Sequence, residues 1–417
     1  MLTFSSVANQ TANRQSAEHI MPSFVTRRMD EHYITRVQKL LGGEHLHVWA
    51  PAPRDAVMLA GNDYLCISGQ AELLDAQRRC LGEAPAGMLM SSVFLQAGSR
   101  QHRLEAKLAA FMGAEDGVLA QSGWAANVGL IQTIAEPGVP VYLDMLAHAS
   151  LWEGVQSAGA TGVAFLHNDP QHLQRQVARH GAGVIVVDAL YSTNGSIAPL
   201  EAIIAIAESS GSILIVDESH SLGTHGPGGA GIVSALGLQD RVHFRTASLA
   251  KAFAGRAGFI TCSSQFKGYF LSESRHAIFS SCLLEHELAW FDAALDFIQA
   301  ADDRRAALHH MARHVRDGLT ALGFNVSDGT EQIIALEAGT EPQVLALRKA
   351  LEKRGIYGAV FCAPATAKNR ALVRLTMNSS VTLAQADKLL AACDDLRSEL
   401  DVESWSSTRR LRRLTLV

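Results

Sequence analysis

Short apolar runs alternate with amphipathic stretches along much of this 417-residue chain. Three of the runs, Val184–Asp188, Ile213–Asp217 and Gly258–Cys262, are mostly apolar, which is typical of buried strands of a parallel sheet. A helix-like stretch over 200–209 separates the first two runs, so together they predict one parallel βαβ unit. The pattern therefore indicates an α/β fold with a mostly parallel sheet.

Helical periodicity marks several other segments. It predicts a helix over 26–41, a second over 101–112, a third ending near residue 135, and a long helical stretch from about 290 to 322. A chain of this length is expected to form more than one domain. The predicted division is an N-terminal helical and connector segment (1–55), a large domain (56–290), and a linking helix with a small α+β C-terminal domain (291–417).

Composition narrows the classes of protein. Hydrophobic residues make up 48% and charged residues 18%, as in an ordinary globular interior, and the net charge of -5 gives no support to nucleic-acid binding. Residues 1–15 lack the apolar core of a signal peptide, and no apolar run reaches transmembrane length, so a cytoplasmic protein without a membrane partner is expected. The six cysteines form no C-x-x-C pair and are interpreted as buried thiols.

The candidate chemistry centres on a lysine and an aspartate. Lys251 lies among small residues just before the run Gly258–Cys262, and a desolvated lysine can lose its proton and attack an aldehyde. Asp217 ends the run Ile213–Asp217, at the sheet edge where open α/β proteins bind ligands. A buried carboxylate needs a cationic partner, and the pyridinium nitrogen of pyridoxal phosphate is such a partner.

The run Asp-Glu-Ser-His-Ser-Leu-Gly from Asp217, followed by Ser-Leu-Ala-Lys ending at Lys251, resembles the fold type I pyridoxal-phosphate enzymes. Within that group it is similar to the α-oxoamine synthases, which condense an amino acid with an acyl-CoA. The resemblance implies a fold type I transferase, with a large domain whose mostly parallel sheet is flanked by helices and a smaller α+β C-terminal domain. The catalytic residues that it implies are Lys251, His148, Asp217 and His220.

A phosphate site is indicated by the small residues that precede a helix at Ser122, Gly123 and Trp124, because a helix N-terminus with free amides binds anions. The resemblance adds other contacts to pyridoxal phosphate. It implies that Ser248 binds the phosphate, that His148 stacks on the pyridine ring and that His220 reaches the phenolic oxygen. It also implies a homodimer with shared active sites, in which the segment containing Ser280 and Ser281 reaches the phosphate of the neighbouring subunit.

Asp217 and His220 also allow a second interpretation, a metal pair. No third cluster of ligands lies near them, so no metal site is expected. Asn62 has two interpretations as well, a position near the substrate carboxylate or an Asx turn. Arg374, in the run Val-Arg-Leu-Thr, resembles the family arginine whose forked guanidinium pairs with the carboxylate of the amino acid.

Two further segments leave alternatives open. The bulky residues 88–96 replace a glycine-rich stretch of the family and indicate either a channel for an alkyl chain or core packing. The basic residues 409–413 indicate a solvated tail or a contact with coenzyme phosphates.

Several motifs resemble one branch of the family, the α-hydroxyketone autoinducer synthases of bacterial quorum sensing. They include Ser-Gly-Trp at 122–124 and Ala-His-Ala-Ser at 147–150. The resemblance implies condensation of a medium-chain acyl-CoA with a small amino acid such as 2-aminobutyrate, with decarboxylation, or with S-adenosylmethionine. The product would be an α-amino ketone, the precursor of a signalling hydroxyketone.

Two alternatives remain at this point. One is another α-oxoamine synthase that uses glycine, alanine or serine, of the 8-amino-7-oxononanoate synthase, 2-amino-3-ketobutyrate CoA ligase or serine palmitoyltransferase type. The other is a protein that binds the cofactor without catalysing condensation.

Overall fold

The computed structural model describes residues 21–83 and 90–415, with side chains through Arg410. The chain forms two compact units, one ending at Val48 and the other running from Trp49 to Val417. In the first unit, helix α1 (Ser23–Asp30) is followed directly by a π-helix, Glu31–Leu40. The helix predicted over 26–41 is thus present, but its second half is the wider form. The domain boundaries drawn at residues 55 and 290 stay predictions, and residues 1–15 lie outside the described residues.

The strands of the second unit form three sheets. The strands are β1 (Val57–Met58), β2 (Asp116–Ala120), β3 (Pro140–Asp144), β4 (Thr161–Phe165), β5 (Val184–Asp188), β6 (Ile213–Asp217), β7 (Phe244–Ser248), β8 (Gly258–Cys262), β9 (Ile333–Gly339), β10 (Ile356–Tyr357), β11 (Ala359–Phe361) and β12 (Ala371–Thr376). The large sheet has seven strands in the order β2-β8-β7-β6-β5-β3-β4. Six of them run in the same direction, and β8 runs in the opposite direction. This confirms the predicted mostly parallel α/β sheet.

The large sheet is held by apolar packing on both faces. Strand β5 is buried at every position, and β6 at every position after its first residue, as their apolar sequences predict. Residues of β5 alternate between two separate apolar clusters: Ile185 and Val187 pack in one, and Val184 and Val186 in the other. Strand direction then brings the carboxyl ends of β5 and β6 to the same edge of the sheet.

The C-terminal part contains a smaller antiparallel sheet in the order β11-β12-β9, which confirms the predicted α+β region. Strands β1 and β10 form a separate parallel pair. The helices of the second unit are α2 (Ala71–Gly82), α3 (Arg100–Met112), α4 (Gly123–Ile134), α5 (Ala149–Ala158), α6 (Pro170–His180), α7 (Leu200–Ser210), α8 (Ile232–Ala235), α9 (Ser264–Glu273), α10 (Arg275–Ile278), α11 (Glu285–Gln299), α12 (Asp302–Ala321), α13 (Glu341–Lys353), α14 (Leu383–Glu399) and α15 (Ser406–Thr415).

The long helical stretch predicted from 290 to 322 is two helices, α11 and α12, separated at Ala300 and Ala301. Asp302 and Asp303 occupy the first turn of α12. Acidic side chains are stabilised at a helix N-terminus by the helix dipole, so these residues favour a new helix start at this point.

The cysteine prediction is right for three residues and wrong for three. Cys262, Cys362 and Cys393 are buried, whereas Cys66, Cys80 and Cys282 are partly exposed, and none of the six forms a disulfide. Within 21–83 and 90–415, no helix combines the length and apolar character that crossing a bilayer requires.

Candidate active site

Two buried aspartates end neighbouring parallel strands at one edge of the large sheet. Asp188 of β5 pairs in register with Asp217 of β6, and each is only 3% exposed. Burial, with Asp217 beside it, raises the pKa of Asp188 well above its usual value. The carboxylate of Asp217 accepts hydrogen bonds from Asn127 Nδ2 at 2.7 Å and from the Ser219 amide at 2.8 Å. Asp217 is therefore held rigidly as an acceptor at the edge where ligands bind.

His148 is fixed at the N-terminus of α5. Its Nδ1 lies 2.8 Å from Ser150 Oγ, and its backbone amide donates to Asp188 Oδ2 at 3.0 Å. The pKa of His148 is lowered by burial and by the charge of Lys251, while Asp217 opposes the shift. The ring is thus held in one orientation and favours the neutral form.

Lys251 lies in the loop between β7 and β8. The loop is closed by hydrogen bonds from the Leu249 amide to the Ala257 carbonyl and from the Ala254 amide to the Lys251 carbonyl, both 2.9 Å. Burial and then the positive charge of Arg374 lower the pKa of Lys251, while Asp217 opposes them. In the described part of the chain, no group accepts a hydrogen bond from its Nζ. Burial therefore shifts Lys251 toward the uncharged, nucleophilic form.

His220 is buried in the turn after β6 and lines the same cavity as Lys251. Its Nδ1 lies 2.5 Å from the Tyr64 hydroxyl, and its carbonyl accepts from Gln332 Nε2 at 2.9 Å. Burial, followed by the charges of Lys251 and Arg374, holds the pKa of His220 well below its usual value. His220 is therefore a neutral hydrogen-bonding group.

Arg374 of β12 brings the small sheet to the same place. Its Nη2 donates to Asn62 Oδ1 at 2.9 Å, its Nη1 donates to the Ser192 carbonyl at 3.0 Å, and the guanidinium lies 4.5 Å from the centre of the Phe361 ring. Its Nε is buried without a hydrogen-bond partner. A buried guanidinium with a spare donor is suited to bind an anionic ligand.

The start of α4 has the features of a phosphate site. Ser122 caps the helix by accepting from the Ala125 amide at 3.1 Å. In the described residues, the amides of Gly123 and Trp124 have no acceptor, as expected for the first turn of a helix. Gly123 is required because a Cβ there would lie 2.5 Å from the Cβ of Ser248. The Ser248 hydroxyl thus lies beside two free amides at the positive end of a helix.

One cavity of about 1060 Å³ is lined by five of the predicted site residues, whereas Asp217 and the residues of the predicted phosphate site are not in its lining. The predicted residues in its lining are Asn62, His148, His220, Lys251 and Arg374. Trp124 connects the start of α4 to the cavity, since its ring makes an edge contact with His148 at 6.2 Å. The structure therefore brings residues from both ends of the chain around Lys251.

The residues 54–392 match the model of the aminotransferase class I and II family. The chain belongs to this family.

Several known proteins are similar to this chain in sequence or structure. A CAI-1 autoinducer synthase of Vibrio campbellii is 42% identical, over 92% of this chain and 97% of that protein. A putative 8-amino-7-oxononanoate synthase of Halalkalibacterium halodurans is 31% identical, over 79% of this chain and 84% of that protein. The solved serine palmitoyltransferase from S. paucimobilis with a PLP–myriocin aldimine has a TM-score of 0.82 and 26% identity, covering 90% of this chain and 99% of that one. The fold type I prediction is confirmed.

The side-chain contacts of Asn62 bear on its two interpretations, an Asx turn or a position near the substrate carboxylate. Its side chain accepts from Arg374, while the neighbouring Asp63 accepts from the amides of Ile67 and Ser68 at 2.9 and 3.0 Å. The local turn is therefore held by Asp63, and Asn62 positions the guanidinium.

Ser280 and Ser281 are not among the residues that line the cavity. The Ser280 hydroxyl donates to the His276 carbonyl at 2.5 Å, and the Ser281 carbonyl accepts from Gln121 Nε2 at 2.6 Å. Their role toward the phosphate of a neighbouring subunit stays a prediction.

The structure also bears on the two segments with open alternatives. Met88 and Leu89 lie outside the described residues, and Met90 and Phe94 are 45% and 57% exposed and absent from the cavity lining. Neither core packing nor this cavity accounts for those two side chains. The interpretation of 409–413 as a solvated tail is wrong for Arg410, which lines the cavity and bonds Glu337 and Asp328.

Three residues that position the site were not recognised from the sequence. Asn127 holds Asp217 and also donates to Ser150 at 2.9 Å, Ser150 holds His148, and Tyr64 holds His220. For Asn127 a signal exists, because it is the one polar residue of the apolar stretch 125–131 within α4. A buried polar residue in such a run must have a partner.

Proposed function

We propose that this chain is a pyridoxal-phosphate-dependent acyltransferase that makes an autoinducer precursor. It would condense a medium-chain acyl-CoA with a small amino acid such as 2-aminobutyrate, with loss of carbon dioxide, or with S-adenosylmethionine. The observation that carries the proposal is the cavity in which a mostly buried lysine with a lowered pKa and a buried arginine with a spare donor lie together. The similarity to a CAI-1 autoinducer synthase over nearly its whole length supports the product class.

The residues present fit pyridoxal phosphate. The free amides of Gly123 and Trp124, with the hydroxyls of Ser122 and Ser248, suit its phosphate. The buried Asp217 carboxylate suits a protonated ring nitrogen, and the His148 ring suits the face of the pyridine. The partnerless Asn127 Oδ1 lies in the same buried network, since the other end of that amide donates to Asp217.

Bound there, the cofactor supplies an electron sink for a bond broken at the amino-acid Cα. The chain's own groups do the rest. Lys251 Nζ, whose pKa is lowered by burial, accepts the Cα proton in its uncharged form, and Arg374 binds the substrate carboxylate. The Asp217 carboxylate keeps a proton on the ring nitrogen. In the net reaction with an amino acid, the acyl carbon joins Cα, and coenzyme A and carbon dioxide are released.

Apolar side chains on the cavity wall favour an alkyl substrate. Met145 and Leu166 line the cavity and remain 56% and 49% exposed. Ala147, where the family commonly has asparagine, lines it as well. Covering such surface with an acyl chain contributes about 0.8 kcal/mol for each buried methylene.

A homodimer belongs to the same proposal. The segment that contains Ser280 and Ser281 carries Phe279, which is 81% exposed, and the Cys282 amide donates to the Met90 carbonyl at 2.8 Å. Met90, Phe94 and Phe279 are exposed apolar side chains, and we propose that a second copy of the chain covers them. A cytoplasmic location stays a prediction.

The alternative is an α-oxoamine synthase that uses glycine, alanine or serine. The similarity to a putative 8-amino-7-oxononanoate synthase supports this alternative, although the identity is lower, 31% against 42%. The pocket near Ala147, rather than the fold, would distinguish the two.

The test is thiol release by the purified holoenzyme. Acyl-CoAs of different chain length are mixed in turn with 2-aminobutyrate, S-adenosylmethionine, glycine, alanine and serine. We expect coenzyme A to appear fastest with a medium-chain acyl-CoA and either 2-aminobutyrate or S-adenosylmethionine. A preference for glycine, alanine or serine would support the alternative, and no thiol with any pair would contradict an acyltransferase.

Arg374→Lys should weaken binding of the amino acid. Lysine keeps the charge but loses the fork that reaches Asn62, Ser192 and a ligand together. A hydrogen bond to a charged group contributes about 1.5–3 kcal/mol, so we expect KM for the amino acid to rise about tenfold to a hundredfold. Steady-state kinetics measure it, and KM for acyl-CoA is the internal control. An equal rise in both constants would contradict the assigned role.

A further inference from the structure

Two histidines and a glutamate converge outside the cavity just described. They are His225, in the loop after β6, His309 on α12, and Glu331, just before β9. One potential ligand atom from each lies within 4.8 Å of the others, and all three residues are half-buried. Because they come from three separate segments, the sequence alone did not reveal the cluster.

The hydrogen-bond partners determine which histidine nitrogens carry hydrogen. His309 Nε2 lies 2.8 Å from the Thr224 carbonyl, which can only accept, so this nitrogen is the donor. The Thr224 hydroxyl gives its one hydrogen to the carbonyl of Ser221 at 3.0 Å or of His220 at 3.2 Å. Its oxygen can then accept from His225 Nδ1, which lies 2.8 Å away.

The remaining nitrogens both face one carboxylate oxygen. His225 Nε2 is 3.0 Å and His309 Nδ1 is 3.7 Å from Glu331 Oε2. Glu331 Oε1 is occupied separately, by the Thr330 hydroxyl at 3.0 Å. With both rings in these tautomers, three lone pairs point at one place. In the other tautomer of His225, its Nε2–H donates to Glu331 Oε2, and a bound metal ion would displace that proton.

Such an arrangement is the one expected of a metal site. Ligating histidines usually donate their other N–H to a carbonyl or similar acceptor, which fixes the tautomer, as Thr224 does for both rings here. Tetrahedral zinc at about 2.0–2.1 Å from its ligands separates them by roughly 3.4 Å, between the two distances observed. Two imidazoles and one carboxylate form a known ligand set for zinc.

We propose that His225, His309 and Glu331 bind one Zn²⁺ ion per chain. The ion would join the loop after β6 to α12 and to the start of β9. It would act on the loop that holds His220, because Gln332, next to Glu331, and Thr224 both bond toward the His220 carbonyl. This proposal departs from the sequence-based expectation of no metal.

The test uses the holoenzyme stripped of metal by a chelator and desalted. After incubation with equimolar zinc and a second desalting, atomic emission should find about one zinc per chain. His309→Gln and Glu331→Gln should each weaken zinc binding by at least about tenfold. The matched control is His314→Gln on the same helix, whose Nε2 bonds Asp387 at 3.0 Å, and it should bind like the unmodified protein.

A second measurement needs no variant. Cobalt(II) in the unmodified holoenzyme should give the visible bands of a low-coordinate nitrogen and oxygen site, displaced by zinc. Absence of zinc retention by the unmodified protein would overturn the proposal, and the proton shared between His225 and Glu331 would then be the occupant. Equal retention by all variants, or cobalt–thiolate absorption, would also overturn it and assign the metal to cysteines.

Discussion

Lys251→Ala should abolish turnover and leave a folded protein. Lys251 is the lysine of the cavity whose pKa is lowered by burial and by Arg374, and its uncharged form is the proposed base. Loss of a positioned general base costs about 10²- to 10⁴-fold in rate, and loss of the covalent attachment point adds to this. We expect thiol release to fall to the background rate, and the absorbance of lysine-bound cofactor to disappear.

The matched control is Lys388→Ala. Lys388 lies on α14, is 39% exposed and is 3.8 Å from Asp55, so its loss should change neither the absorbance nor the rate. Circular dichroism should show the same fold in both variants. Thiol release near the unmodified rate in Lys251→Ala would remove this lysine from the mechanism.

Arg245→Ala should destabilise the protein more than loss of any exposed ion pair. Arg245 of β7 is 2% exposed and binds Glu218, which is fully buried. It also donates to the carbonyls of Ala230, at 2.6 Å, and Met112. Removing one partner of a buried pair leaves an uncompensated charge and costs about 3–5 kcal/mol in free energy of unfolding. Urea denaturation of the holoenzyme measures the loss.

The control for this prediction is Arg241→Ala. Arg241 binds Glu208 through two parallel contacts of 2.8 and 2.7 Å, but both side chains are more than 40% exposed. Water and salt screen such a pair, so little change is expected. An equal loss of unfolding free energy in the two variants would show that burial does not determine how much the Glu218–Arg245 pair contributes to stability.

The double variant Glu218→Gln with Arg245→Met separates the pair from its neighbours. Replacing both charges by neutral groups of similar size should recover part of the loss, because no unpaired charge remains. Since Glu218 directly follows Asp217, the double variant also shows whether the pair helps to hold the Asp217 carboxylate, which we propose faces the cofactor.

Local patterns predicted the elements that carry the site. The bounds of β5, β6 and β8 agree with their apolar runs, and α3 begins one residue before the predicted start. These elements could be predicted because burial of both strand faces and helical periodicity appear as patterns among neighbouring residues. The candidate residues themselves came from motif spacing and from a resemblance, and their roles stay predictions.

Predictions made from neighbouring residues failed at positions whose surroundings depend on distant parts of the fold. Arg410 looks like part of a solvated basic run, but Glu337 of β9 lies beside it and draws it to the cavity. Met90 and Phe94 look like core or channel residues, yet they remain exposed on one chain. In neither case does the sequence around the residue carry the information.

The sequence by itself determined the class of fold and the strand ends at which Asp188 and Asp217 lie, and it singled out Lys251 as a candidate for covalent chemistry. Only the tertiary structure decided which side chains meet. It placed Asn127 on Asp217, Tyr64 on His220, and His225 near His309 and Glu331. The physical reason is that hydrogen bonds and charges act over a few ångströms, so they depend on how distant segments pack.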